Sequence, residues 1–215
     1  PFDDQRIYDL LASFQPEIEG MDASPVRGAP AADTAESWSG AAVVEIEPAA
    51  CKPFYSVINM STDQDLGAAA RDAVDPGDYY LQTGADDDDT EAPHVSLFTR
   101  VFADESLAAS LAEDALAADC GRYTATFPEY GLVRDRTVAV AEEIMLDGVD
   151  GPVLHIVLDP DEIQTSDGHV ETWVSEYYYY VDGPHTIQVA PTNVEDPDAL
   201  AAHVIAAYVE HMSGS

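Results

Sequence analysis

Lysine is almost missing from this chain. Lys52 is the only one, and basic residues number 8 in all against 42 aspartates and glutamates. The formal net charge of -34, spread over roughly 9,700 Å² of folded surface, leaves about one net negative charge per 280 Å². Such a surface repels phosphate backbones and anionic lipid heads, so nucleic acid and membrane-surface partners are excluded. Long apolar runs are missing too, and no stretch of 18 or more apolar residues reads as a membrane span. Cysteine is scarce: Cys51 and Cys120 stand 69 positions apart, which fits neither zinc nor redox spacing. No serine sits in G-x-S-x-G, and no glycine pattern forms a P-loop or a dinucleotide fingerprint.

What remains is a chain of 215 residues that is 46% hydrophobic, enough to bury a core as a single domain. Two readings account for its acidity. Dense carboxylates with few lysines suit a protein working in molar salt, which screens self-repulsion within a few ångströms. Alternatively, the chain is a secreted protein whose source favours Ala, Asp and Arg. The two cysteines also leave two readings open. A Cys51–Cys120 disulfide would remove chain entropy worth on the order of 4.5 kcal/mol from the unfolded state; two free buried thiols would fit the cytosol.

The stretch from His94 to Cys120 organises the chain. Val95, Leu97, Phe98, Val101 and Phe102 put apolar side chains on both parities, which predicts a strand inside a sheet. A helix starts at Asp104, and Leu107, Leu111, Ala115 and Ala118 form one stripe that can lie on that sheet. Upstream, Asp3–Phe14 reads as an amphipathic helix, residues 17–40 as a surface excursion, and Ala41–Glu47 as a strand stopped by Pro48. Phe54, Tyr55, Val57, Ile58 and Met60 read as a second short strand, followed by a helix over residues 63–74. Tyr79–Leu81 forms a brief strand or a packed loop.

Residues 84–92 form an acidic loop around Asp86–Asp89, without the spaced ligands of an EF-hand. Downstream come strands over Tyr123–Phe127, Leu132–Leu146, Val153–Leu158, Val170–Val181 and His185–Ala190. Their turns fall at Pro128–Gly131, Gly148–Gly151, Asp167-Gly168 and Asp182-Gly183. Asp196-Pro197 opens a last helix, with Asp as N-cap and Pro where a missing N–H costs nothing. The order predicts an α+β fold: a twisted antiparallel sheet with helices packed on it in two layers, braced by one disulfide.

The segments Pro48–Cys51 (P-x-x-C), Val95–Cys120 with Tyr123-Thr124 just after it, Tyr180–Ala190 and the closing helix resemble one actinobacterial family. It comprises the extracellular sensor domain of PknH-type serine/threonine kinases and the lipoproteins that share that domain. The similarity runs from about Phe2 to Met212 on short, mostly structural motifs. The kinase sensor carries a further cysteine pair in its late strands, where this chain, around Tyr177 and Thr192, has none. The resemblance implies a non-catalytic, extracellular, cell-surface domain held by a lipid or transmembrane anchor upstream of Pro1. It also implies a cleft for an unidentified small molecule or cell-envelope component, and it assigns no catalytic residues.

Two places could carry chemistry. Trp173, Tyr177 and Tyr179 share one parity of the aromatic strand and are the expected ligand-lining residues, since tyrosine offers flat apolar area with a polar tip. His155 and His185 fall on strands with Glu171 and Glu176 nearby. A metal or acid/base site there requires a convergence that spacing alone does not show, and a hydrolase built on such a pair is the remaining alternative. Asp159, Asp161 and Asp167 look like a calcium loop, but Gln164 occupies the position that needs glycine. The expectation is therefore a monomeric binding module with no metal and no cofactor.

Overall fold

The computed structural model describes residues 45–59, 79–83, 94–101, 105–128, 131–164 and 170–213. Eight strands form one sheet: β1 (Glu45–Glu47), β2 (Tyr79–Thr83), β3 (His94–Val101), β4 (Arg122–Phe127), β5 (Leu132–Ile144), β6 (Val153–Gln164), β7 (Val170–Asp182) and β8 (His185–Thr192). Across the sheet they run β1-β4-β5-β6-β7-β8-β3-β2, and every neighbouring pair is antiparallel. The hairpin succession from β4 to β8 is the expected meander, and β3 lies inside the sheet between β8 and β2. Three α-helices complete the described fold: α1 (Lys52–Asn59), α2 (Glu105–Ala117) and α3 (Pro197–Ser213).

The sheet is covered on both faces, because the strands alternate between two cores. Tyr178, Tyr180, Ile187 and Val189 point to one face and pack with Val95, Leu97, Val204, Ile205 and Tyr208 under α3. Tyr179, Leu154, Ile156 and Leu158 point to the other and pack with Phe54, Val57, Ile58, Ala108, Leu111 and Ala115 of α1 and α2. Helix-on-sheet packing of the expected kind thus occurs twice, once on each side. The Cys51–Cys120 disulfide is formed. It joins the 3-10 turn Ala49–Cys51, just before α1, to the residue that follows the left-handed Asp119 (φ 45) at the end of α2.

The turns follow residue chemistry. Gly183 has φ 57 and precedes Pro184, the two-residue β7–β8 loop that needs a positive φ at its first position. Asp196 caps α3 by accepting a hydrogen bond from the Ala199 N–H at 3.1 Å. The β6–β7 register shifts between Leu158 and Asp161, around Pro160, which has no N–H to give a ladder.

One expected element is wrong in type. Phe54–Ile58 lies in α1, not in a strand. The residues are β-prone, but Phe54, Val57 and Ile58 fall at i, i+3 and i+4, one helical face. All three are buried against α2 and the sheet, and Pro53 sits in the first turn, where proline is tolerated. Tertiary burial of that face overrides the local preference. The expected Asp3–Phe14 helix, the 17–40 excursion, the 63–74 helix and the 84–92 loop lie outside the described residues.

Candidate functional site

His155 on β6 stands directly opposite Tyr178 on β7, so their side chains emerge on the same face. The rings stack with centroids 4.7 Å apart at an interplanar angle of 19°. Glu176 precedes Tyr178 by two residues and so shares that face. Its Oε1 lies 2.7 Å from His155 Nε2 and 2.8 Å from the Tyr178 hydroxyl. A third element reaches in from above: Asp198, in the first turn of α3, places Oδ1 2.6 Å from the same hydroxyl. Two strands in register and one helix start therefore converge an imidazole, a phenol and two carboxylates.

The surroundings shape the chemistry. The His155 and Glu176 side chains are only 15% and 20% exposed, whereas Asp198 is exposed. The hydrogen bond from His155 holds the Glu176 carboxyl below its ordinary range, with the Tyr178 hydroxyl and the imidazole charge adding to it against the opposing effect of burial. The Tyr178 hydroxyl is pushed far up, first by burial and then by its bonds to Asp198 and Glu176. It remains a neutral phenol. For Nε2 to donate to Glu176, the proton must sit on that nitrogen. Nε2 of His155 thus faces a carboxylate, the arrangement by which a carboxylate orients an imidazole. Imidazole and carboxylate oxygens are also a donor set for a metal ion. The ligand atoms of His155, Glu176 and Asp198 all lie within 4.8 Å of one another.

The other residues expected from the sequence are placed as follows. Tyr179 is 2% exposed, inside the core beneath α1 and α2, and Tyr177 packs partly buried at the margin of that core. Tyr179 is therefore a packing residue. Trp173 is paired with Asp161, and its side chain lies outside the described residues. His185 pairs with Asp182, four residues along β7 from His155's partner, or about 13 Å away. The two histidines do not meet. Asp159, Asp161 and Gln164 are strand residues of β6, which is no calcium loop.

Asp198 was not foreseen. In the sequence it is an acidic residue suited to a helix start, and nothing local says that α3 docks its first turn over Tyr178. The shared parity of Glu176 and Tyr178 was visible. Their meeting with His155 required the β6–β7 register.

No protein-family model matches this sequence, and no curated protein is similar to it at a significant level. Among solved structures, the crystal structure of the extracellular domain of PknH from Mycobacterium tuberculosis matches 98% of this chain and 97% of that domain. The TM-score is 0.59 at 15% identity. The chain has the fold of a PknH-type sensor domain.

Proposed function

We propose that this chain is a non-catalytic extracellular sensor domain that binds a small molecule or a cell-envelope component at a cell surface. The observation that carries the reading is a fold shared with the PknH extracellular domain along nearly the whole of both chains. One further feature supports it: the Cys51–Cys120 disulfide is the bond expected of an oxidising compartment. No described helix is long and apolar enough to cross a membrane. The whole chain acts as one monomeric domain. For the ligand, Trp173 and Tyr177 remain the lining residues, and Tyr179 supports them from the core.

Intact cells making the chain from its own gene provide the test. Treated with an external protease, they should lose the protein while a cytosolic marker survives, and non-reducing mass spectrometry should find no free thiol. Protection until lysis, with both thiols free, would overturn the reading. The ligand is approached through fluorescence. The chain has two tryptophans, so in a Trp38→Phe background the emission reports on Trp173 alone, and fractionated envelope extracts should shift it. Emission that ignores every fraction would remove Trp173 from the site.

A further inference from the structure

We propose that His155, Glu176 and Asp198 form a binding site for a divalent transition-metal ion of the zinc class. The inference does not depend on the sensor reading and stands or falls separately. Zinc is held by imidazole nitrogen and carboxylate oxygen at roughly 2.0–2.2 Å, so its ligand atoms sit about 3.3–3.5 Å from one another in a tetrahedral shell. The present atoms bracket that spacing: 2.7 Å between His155 Nε2 and Glu176 Oε1, and no more than 4.8 Å between any two of the three. Reaching that spacing requires the 2.7 Å His155–Glu176 contact to widen and the longest separation, up to 4.8 Å, to shorten.

Proton bookkeeping favours a cation at this point. Three short contacts join the four groups: His155 to Glu176, Tyr178 to Glu176 and Tyr178 to Asp198. The imidazole Nε2–H and the phenol O–H supply two protons, and ionised carboxylates supply none. One of the two oxygens facing the Tyr178 hydroxyl is thus met by a lone pair. A metal ion resolves the shortage. It takes the place of the Nε2 proton, draws both carboxylates to itself, and leaves the single phenol proton for one of them. Protonation of a carboxylate is the competing resolution, and metal binding accordingly releases protons.

The surroundings also have the character of a metal site. Stacking on Tyr178 fixes the plane of the His155 ring, and the Tyr178 hydroxyl donates its one proton to one of the two carboxylates from the second layer, as outer partners of metal ligands do. His155 and Glu176 are largely covered while Asp198 is exposed, so the cluster meets solvent on the Asp198 side. The net charge of -34 draws cations to the protein as a whole, while the imidazole selects a borderline metal over calcium or magnesium, which want oxygen ligands.

The test uses the full chain, stripped with chelator and titrated calorimetrically with Zn²⁺ in about 0.5 M NaCl, which screens diffuse attraction to the acidic surface. One equivalent should bind, in competition with Co²⁺ but not with millimolar Mg²⁺, and Co²⁺ should develop the strong visible bands of low coordination. Asp198→Asn, an exposed change that leaves the core untouched, should weaken binding by about 10-fold or more, and Tyr178→Phe by about 10–100-fold. Glu113→Gln, an exposed residue of α2 on the opposite side of the sheet, should change nothing. The proposal is overturned by a zinc isotherm that is the same for the parent and Asp198→Asn, or by binding that Mg²⁺ abolishes.

Discussion

Gln188 on β8 donates from Nε2 to the main-chain carbonyls of Val57 and Ile58, at 2.5 and 2.9 Å. Those carbonyls belong to the last turn of α1, where helix carbonyls lack partners within the helix itself. A fully buried amide from 130 residues away thus closes the end of a short helix and fastens it to the middle of the sheet.

Replacing Gln188 by Leu keeps bulk but strands both carbonyls in a dry core. The expected cost is about 2–4 kcal/mol, read as a lower denaturant midpoint. Gln188→Glu should cost more, because its carboxylate would face two carbonyl oxygens. A midpoint unchanged in both variants would show that the amide contributes nothing to holding α1.

Reduction of Cys51–Cys120 should lower stability by about 3–5 kcal/mol, the range for native bridges closing long loops. Paired Cys51→Ser and Cys120→Ser substitutions should reproduce the loss, while adding reductant to the double variant should produce no further change. Equal denaturant midpoints with and without reductant would contradict it.

Tyr208 is 1% exposed, and its hydroxyl has no hydrogen-bond partner among the described residues. Burial, with the charge of Asp182 second, raises its ionisation above the ordinary value of 10.0. Folding therefore favours the protonated phenol. Its contribution is full below the unfolded value near pH ~10 and is lost as pH rises through the folded value. Tyr180 is shifted the same way by burial, Asp182 and Asp150. Tyr208→Phe should match or exceed the parent at pH 7, to within about 1 kcal/mol, and should decline less steeply above pH ~10. A decline as steep as the parent's would assign the alkaline loss elsewhere.

Salt separates the two accounts of the acidity. A screening length that falls from about 10 Å at 0.1 M to 3 Å at 1 M relieves repulsion among the 42 acidic residues. The thermal midpoint should climb with NaCl, at about 2–4 °C for each kcal/mol gained, from a chain already folded at 0.15 M. Circular dichroism showing an unfolded chain below molar salt would favour the salt-adapted account.

Much of this architecture was legible because it is written locally. Asp182-Gly183 marks a hairpin, Asp196-Pro197 marks a helix start, and Leu111 with Ala115 marks a buried helical stripe, each within a few residues. Phe54–Ile58 was misread because β-branched and aromatic side chains carry the strand signal even when their spacing is helical, and burial against Tyr123 decides between the two. His155 and Glu176 were legible as components, not as a pair. Their meeting depends on a register fixed past the irregularity at Pro160, and the arrival of Asp198 depends on where α3 docks. The aromatic run also concealed its division of labour: Tyr178 serves the cluster, and Tyr179, one residue on, is sealed in the opposite core.

The bridge between Cys51 and Cys120 also sets how the molecule carries mechanical load. β1 lies two positions before the bridged turn that opens at Ala49 and pairs with β4, which starts two residues after Cys120. Tension entering ahead of Cys51 and leaving beyond Cys120 crosses the sulfurs directly, and the chain between them, with α1, β2, β3 and α2, stays off the loaded path. Stretched to rupture, the oxidised protein should extend about 250 Å less than the reduced one, because the 69-residue separation is locked as a closed loop.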